Sequence, residues 1–402
     1  MDNNGKKDIN RSETLTIGML LNLHKFIPKD LRIRLNEKFR YGLFSKAISN
    51  MGNQEGLAKV LKMTSQNVSE MLHGTVLSTL ETLRIISKIA KVDVEDVYEN
   101  INCLTFLRKN GIFRPKLSLN LTPEVAEWFG QALGDGGIPE NKRYLSFSNT
   151  EINTVKFHSG ISKDVLGIED KQFLLVLKIP QKALNDLEKW EENFRNLKII
   201  YSTPSKNSKN QNYISGDLII PNKGLTKFFD SIKIPILEAI KNSKVKIKAK
   251  FISGLYAAEG SPQKYELFFV MKDSKIVSYV KEILEDIGIK TSKIKIRKDG
   301  TYDLRISRRE NILKFKDIIS FGHHERKNIK LNNFIKSYKE LQLPKQTRHK
   351  QIINKIENNN GVSISEIANN LKVTYSLAWL RIRELEKTGF ITRQNGKCYL
   401  KS

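Results

Sequence analysis

Two short segments of this chain share one chemical pattern. One runs Trp-Phe-Gly-Gln-Ala-Leu-Gly-Asp-Gly over residues 128–136, and the other runs Ile-Ser-Gly-Leu-Tyr-Ala-Ala-Glu-Gly over residues 252–260. In each segment two small residues lie four apart, which places them on one helical face and allows a second backbone to approach closely. The pattern therefore predicts two helices in direct contact, with an interface formed by Gly130, Gly134, Gly254 and Ala258.

Each segment ends in a carboxylate followed by glycine, Asp135-Gly136 and Glu259-Gly260. A carboxylate at the carbonyl end of a helix is unfavourable, because that end of the helix dipole is already negative. Packing the two helices together would bring both carboxylates to one place, where they require a cation. Hard oxygen ligands suit Mg²⁺, which keeps most of its waters and takes one or two protein carboxylates. Such a site is suited to phosphodiester hydrolysis.

At these residues the chain resembles the LAGLIDADG (DOD-type) homing endonucleases, in the form that carries two motifs in one polypeptide. The resemblance implies that Asp135 and Glu259 are catalytic and bind Mg²⁺ (or Mn²⁺), with Gly136 and Gly260 beside them in the metal site. It covers roughly residues 113–340. It implies a multidomain α+β protein whose core has two αββαββα-type halves about a pseudo-two-fold axis. A saddle of antiparallel strands in that core would bind double-stranded DNA.

The segments after the two motifs also correspond. Each motif precedes an apolar strand (144–147; 265–271), a helix ending in Leu-Gly-Ile or Ile-Gly-Ile (166–168; 287–289), and a second strand (173–179; 293–297). This duplication of supersecondary order predicts one half over residues 121–240 and another over 241–342. The alternative is an ordinary core that contains two glycine-rich helices.

Composition indicates the class of partner and the compartment. The 402 residues include 69 Lys and Arg against 43 Asp and Glu, a net charge of +26, which favours nucleic acid as partner. Cys103 and Cys398 are the only cysteines, which suits a reducing compartment. The early apolar run over residues 15–21 is too short to span a bilayer. We therefore expect a cytoplasmic protein without a membrane partner.

A helix-turn-helix is predicted within residues 40–102, preceded by an extension over residues 1–39. Apolar residues between 57 and 71 are spaced to pack two short helices together, and Thr64 is a good N-cap for the second. The segment resembles the phage-repressor (Cro/CI-like) family, which implies that Ser65, Gln66 and Asn67 read bases in the major groove. Lys62 stands where that family usually has a turn glycine. A helical bundle without a DNA role is the alternative.

A second helix-turn-helix is predicted within residues 346–402, after a proline-containing linker. Ser363-Ile-Ser-Glu366 is a capping box, and residues 390–400 alternate around an Asn395-Gly396 turn. This segment resembles a winged helix-turn-helix, which implies phosphate contacts by Arg381, Arg393 and Lys397. Winged helices also act as protein-contact modules, so dimerisation through the flanking modules is the alternative. Residues 103–120, before the core, are interpreted as a basic connector.

The predicted saddle includes a hairpin over residues 293–307. A three-residue turn with Gly300 in the left-handed conformation would pair Arg297 with Thr301, Lys295 with Asp303, and Lys293 with Arg305. That register separates a polar face from an apolar face. The apolar face would consist of Ile294, Ile296, Tyr302, Leu304 and Ile306. The polar face would contact DNA through Lys293, Lys295, Arg297 and Arg305, unless it is a solvated sheet edge.

Four other features of the core are interpreted separately. Strands near 197–201 and 213–220 would form the first half's hairpin, with a flexible DNA-contacting loop over residues 202–212. The lysines from 244 to 250 would shield phosphates beside Glu259 or line a solvated helix entrance. His323-His324-Glu325 lacks metal-ligand spacing and is not interpreted as a zinc site. The family resemblance also implies a basic residue that polarises the scissile phosphate, and Lys327, near the end of the second repeat, is the candidate for it and for DNA contact.

Together these features predict a sequence-specific, Mg²⁺-dependent DNA endonuclease of the intron-homing type whose core works as a monomer. One carboxylate would serve each DNA strand. The first rival is a transcriptional regulator derived from such a nuclease, because two helix-turn-helix modules suit a regulator. A bacterial sporulation-regulator family joins a similar core to a helix-turn-helix without the catalytic carboxylates, which this chain retains. A second rival is an RNA maturase.

Overall fold

The computed structural model describes residues 19–106, 111–203, 212–263, 266–340, 345–359, 361–371, 373 and 375–401. It is a multidomain α+β protein, as the sequence predicts. One continuous hydrophobic core extends from Leu23 to Ile335, and the C-terminal module has a separate core. In the described residues no helix is both long and apolar enough to cross a membrane.

The N-terminal module is a helical bundle closed by short strands. Its elements are β1 (Met19–Asn22), β2 (Arg32–Leu35), α1 (Glu37–Asn50), α2 (Gln54–Leu61), α3 (Ser65–His73), α4 (Leu80–Ala90), α5 (Val94–Glu99), β3 (Ile101–Thr105) and β4 (Ser118–Leu121). Strand β2 pairs with β3, and β1 pairs with β4, both antiparallel. The segments interpreted as an extension and a connector therefore contribute strands that tie the helices to the core.

The first half of the core follows. Its elements are α6 (Pro123–Gly134), β5 (Gly136–Gly137), β6 (Leu145–Asn149), α7 (Ile152–Leu166), β7 (Leu174–Lys178), α8 (Leu187–Asn193), β8 (Lys198–Ser202), β9 (Ser215–Ile220) and α9 (Lys223–Lys241). The sheet has the order β5-β6-β9-β7-β8. Apart from α8 and β8, the element order is αββαββα.

The second half repeats that order without the insertion. Its elements are α10 (Val245–Glu259), β10 (Gly260–Gln263), β11 (Glu266–Met271), α11 (Ser274–Asp286), β12 (Lys295–Ile296), β13 (Tyr302–Ile306), α12 (Arg309–Ile318) and α13 (Glu325–Glu340). The sheet has the order β10-β11-β13-β12. The predicted duplication of the core is confirmed by these two sheets.

The predicted pairing of the first half's hairpin is wrong. Strand β9 pairs with β7 and β6, while β8 lies at the sheet edge and pairs with β7 in parallel. A parallel neighbour requires a crossover of a dozen or more residues, which the segment containing α8 provides. Strand β7 is apolar and partly buried, and it pairs with β8 along the edge that β9 does not occupy. The loop over residues 202–212 falls mostly outside the described residues.

The C-terminal module is a winged helix. Its elements are α14 (Lys345–Glu357), β14 (Val362–Ser363), α15 (Ile364–Asn370), α16 (Tyr375–Lys387), β15 (Ile391–Gln394) and β16 (Lys397–Leu400). The capping box of Ser363 and Glu366 begins α15, as predicted. Asn395 and Gly396 both have positive φ, as the predicted two-residue wing turn requires.

Candidate active site and nucleic-acid interface

The motif helices α6 and α10 pack backbone to backbone. A Cβ atom on Gly130 would overlap the carbonyl oxygen of Phe251, and one on Gly254 would overlap the carbonyl oxygen of Glu127. A Cβ atom on Gly134 would overlap the methyl group of Ala258. The structure thus places all four predicted interface residues at the helix contact.

This packing brings the two motif carboxylates together. Asp135 is the C-cap of α6, and Glu259 is the last residue of α10. A Cβ atom on Gly134 would lie 3.4 Å from Cγ of Glu259, which shows how close that side chain approaches the end of α6. Asn149 Nδ2 donates a 2.6 Å hydrogen bond to Oδ2 of Asp135.

Burial controls the ionisation of both acids. It raises the pKa of Asp135 to about 7, against the hydrogen bond from Asn149 and the charge of Lys327, while the charge of Glu259 raises it further. Burial also raises the pKa of Glu259, and Lys327 again opposes the change. The two carboxyl groups together can therefore lose one proton near neutral pH.

Lys327 supplies the positive charge that the helix ends require. Its Nζ donates hydrogen bonds of 2.7 Å to the carbonyl of Ala257 and 2.8 Å to that of Ala258, in the last turn of α10. Burial lowers the pKa of Lys327 to about 8, while the charges of Asp135 and Glu259 act in the opposite direction. The sequence analysis named Lys327 as a candidate basic residue, but it did not predict the contact of Lys327 with the last turn of α10.

A divalent cation fits the charge and the donors of this site. Two ionised carboxylates and one ammonium leave one net negative charge, and carboxylate oxygens suit Mg²⁺ or Mn²⁺. Asp135 and Glu259 would hold the ion. Gly136 and Gly260 begin β5 and β10 and can offer only main-chain carbonyl groups.

A polar network that the sequence analysis missed supports Asp135. Asn149 Oδ1 accepts a 2.8 Å hydrogen bond from the main-chain NH of Glu151. The Glu151 carboxylate forms an ion pair with Arg326, and Arg326 Nη2 donates a 2.8 Å hydrogen bond to the carbonyl of Thr150. Residues adjacent to Lys327 in the second half thereby fix the segment that carries Asn149. The polar run Ser-Asn-Thr-Glu after the apolar strand was the available signal.

Glu127, nearer the N-terminus of α6 than Asp135, forms a second buried ionic contact. Only 1% exposed, it binds Lys250 Nζ at 2.9 Å and His323 Nδ1 at 2.7 Å. Lys248 pairs with Asp286 at 2.5 Å. These lysines lie in the first half of α10, and the helix is about 22 Å long. Lys248 and Lys250 therefore already bind carboxylates, and phosphate shielding by the run from 244 to 250 stays a prediction.

The second-half hairpin has the predicted turn. Lys295 lies opposite Asp303, the Arg297 NH donates to the carbonyl of Thr301 at 2.8 Å, and Gly300 has φ +78°. The register changes beyond Lys295, because the NH of Ser292 donates to the carbonyl of Arg305 at 2.8 Å. The predicted pairing of Lys293 with Arg305 is thus wrong.

The two faces of this hairpin also differ in part from expectation. Leu304 and Ile306 are buried as predicted, whereas Ile296 is 71% exposed. Lys293 and Lys295 are exposed. Arg297 and Arg305 are both bound to Asp303, at 3.0 Å and 2.9 Å.

The N-terminal helix-turn-helix has the predicted local geometry. Thr64 Oγ1 accepts the NH of Asn67 at 3.1 Å, and Lys62 adopts the left-handed conformation with φ +53° that glycine normally occupies. Gln66 and Asn67 are exposed on the first turn of α3. Ser65 is half-buried, and its carbonyl accepts a 2.6 Å hydrogen bond from Gln54.

In the winged helix, two of the three predicted phosphate contacts are engaged by carboxylates. Arg381 binds Glu384 at 2.7 Å, and Arg393 binds Glu386 at 3.0 Å. Lys397 is exposed on β16, beside the wing turn. DNA contact by these residues stays a prediction.

Two family models match the chain. The model described as a LAGLIDADG-like domain matches residues 246–320, and the model described as winged helix-turn-helix DNA-binding matches residues 346–392. No curated protein matches the chain.

Solved structures with some likeness to the chain include two proteins. One is the homing endonuclease I-DmoI in its mesophilic variants, with 20% identity, 50% of this chain and 91% of that chain covered, and a TM-score of 0.33. I-DmoI was also solved with DNA and Mn, where 19% identity, 50% and 98% coverage, and a TM-score of 0.31 are found. The other is full-length DUF199/WhiA from Thermotoga maritima, with 15% identity, 66% and 90% coverage, and a TM-score of 0.32. At such TM-scores the assignment of the fold depends on the elements and family models above.

Proposed function

We propose that this chain, which contains a LAGLIDADG-like domain and a winged helix-turn-helix domain, is a sequence-specific DNA endonuclease of the homing type. The observation that carries the proposal is the meeting of Asp135 and Glu259 at the ends of two helices packed backbone to backbone. A purely structural core would gain stability from an apolar residue there, because buried like charges are unfavourable.

The chain's own residues would prepare the site for cleavage. Asn149 orients the Asp135 carboxylate and favours its ionised form. Lys327, held by two carbonyl groups of α10, keeps a positive charge beside both acids and favours their ionised forms. When Asp135 and Glu259 hold a divalent cation, that ion would supply an activated water and stabilise the leaving 3′ oxygen. One carboxylate would serve each strand.

A plasmid library that contains randomised duplexes tests this function. We expect the wild-type protein with Mg²⁺ or Mn²⁺ to linearise plasmids that share one sequence. Asp135→Asn and Glu259→Gln should bind the same sequence and cut it at least 100-fold more slowly, because each removes a ligand of the cation. Wild-type protein that selects a duplex but never cuts it contradicts the proposal.

The second candidate is a DNA-binding regulator. Two observations favour it: a helix-turn-helix module lies on each side of the core, and the Lys327 ammonium already neutralises one of the two carboxylates. A regulator would select a duplex and leave both strands intact under every divalent metal, so the plasmid assay separates the candidates.

A further inference from the structure

The sheets of the two halves can be superposed by register. In the first half Gly136 lies opposite Phe147, and Phe147 lies opposite Leu218. The residue before that leucine is Asp217, which lies opposite Ser148. Counting from the motif glycine therefore fixes the position of Asp217 in the sheet.

The same count in the second half ends on another aspartate. Gly260 lies opposite Phe269, and Phe269 lies opposite Leu304. The residue before that leucine is Asp303, opposite Val270. Asp217 and Asp303 thus occupy equivalent positions in the two halves, on the sheet face opposite the buried leucines.

Each aspartate holds a basic residue from the neighbouring strand. Lys178 Nζ lies 2.6 Å from Oδ2 of Asp217, and Arg297 Nη2 lies 3.0 Å from Oδ2 of Asp303. Val176 lies opposite Asp217 and Lys295 lies opposite Asp303. Lys178 and Arg297 each come two residues later, so the two ion pairs also have equivalent register.

Both aspartates are more buried than the basic residues that they bind. Side-chain exposure is 18% for Asp217 and 2% for Asp303, against 44% for Lys178 and 39% for Arg297. Burial alone would raise the pKa of Asp303, but hydrogen bonds from Arg305 and Arg297 hold it below its usual value. Asp303 therefore remains charged beside its two arginines.

Additional partners fix each pair in place. The hydroxyl of Ser148 donates to Asp217. Arg305 binds Asp303 at 2.9 Å and Glu266 at 3.3 Å, and its guanidinium lies 4.5 Å from the ring centroid of Phe268. Among the groups in direct ionic contact, one base meets one acid in the first half, and two bases meet two acids in the second. Lys295, opposite Asp303, is exposed and lies outside these ion pairs.

We infer that Asp217 and Asp303 are positioning residues, which hold Lys178 and Arg297 at two-fold-related places so that these two basic residues read base edges. This inference rests on the proposed function, because the sheet faces must meet DNA. A basic group that is already paired with a carboxylate adds little net attraction to phosphate, but the carboxylate gives it the defined orientation that base reading requires. Lys and Arg both match the O6 and N7 acceptors of guanine. The target should therefore contain one guanine in each half-site, at related distances from its centre.

The test compares Asp217→Asn and Asp303→Asn with wild type, using selection from a randomised duplex library in EDTA. Each variant should lose the guanine preference in its own half-site only. Freeing a basic residue should also steepen the slope of log K against log salt by about one to two. Asp317→Asn changes the charge equally on an exposed position of α12 and should alter neither readout. Arg297→Gln leaves Asp303 paired with Arg305 and should lose the same guanine as Asp303→Asn.

Variants that keep the wild-type preference and slope overturn the inference alone. Loss of preference in both half-sites together, in step with a lower melting temperature, also overturns it, because a destabilised sheet would act in that way. Wild-type protein that selects no sequence contradicts the proposed function and the inference alike.

Discussion

At the scale of residues, the charge of the candidate active site depends on individual ionisable side chains. Asp135 lies at a helix terminus that disfavours negative charge, and burial raises its pKa to about 7. The need for a compensating cation follows from the sequence, because Asp135 and Glu259 both end predicted helices. The contact of Lys327 with the end of α10 does not follow from the sequence. Lys327 lies far along the chain, and only the packing of α13 against the end of α10 brings it there.

Asp135 makes the stability of the fold depend on pH. Its folded pKa of about 7 exceeds the reference value of 3.8. The protein should therefore lose stability as pH rises from about 4 to about 7, because the unfolded chain ionises first. The Asp135→Asn variant should not lose stability in this way, because its amide does not ionise. Relative to wild type the variant should gain about 1–2 kcal/mol between pH 5 and pH 8, a figure discounted for partial exposure.

Thermal unfolding at the two pH values, without divalent metal, measures this difference. Asp317→Asn removes an exposed carboxylate and serves as the control. A difference between Asp135→Asn and wild type that is the same at pH 5 and pH 8 would show that Asp135 has an ordinary pKa.

At the scale of elements, sequence patterns predict those structures that depend on residues close together in the chain. The hairpin turn was predictable because Asp299-Gly300 and the alternation of residues on both sides favour one register. The parallel strand β8 was not, because its partner β7 lies across an insertion and no local pattern encodes that pairing. The one-residue change of register at Ser292 also escaped prediction, since it depends on a hydrogen bond that the Arg305 NH donates to the Ser292 hydroxyl.

Substitution of one interface glycine tests the helix pair. Gly130→Ala should destabilise the core by about 1–3 kcal/mol, because the added methyl group would overlap the carbonyl oxygen of Phe251. Gly160→Ala is the matched control on α7, where a Cβ atom meets nothing within 4 Å. That control should be neutral or gain up to about 1 kcal/mol from helix propensity. Equal melting temperatures for the two variants would contradict the direct backbone contact.

At the scale of the whole molecule, one proposed cleavage centre is combined with a long, basic chain. Its net charge of +26, the module on each side of the core, and the sheets of the two halves all suit a long anionic partner. The match of residues 346–392 to a winged DNA-binding model supports the same partner.

Binding to the selected duplex should respond steeply to salt. If six to ten phosphates are contacted, affinity should fall by about 10³–10⁵ between 50 and 200 mM salt. Fluorescence anisotropy in EDTA, with the protein in excess over labelled duplex, measures the slope. A flat response would contradict an interface that extends along the DNA backbone.

The most direct test of the account follows each strand of the selected duplex separately. With Mg²⁺ and both 5′ ends labelled, wild-type protein should cut both strands, whereas Asp135→Asn and Glu259→Gln should each lose cutting of a different strand while binding is retained. If all three proteins bind the duplex equally and both strands stay intact with Mg²⁺ and with Mn²⁺, the paired carboxylates do not form a nuclease centre.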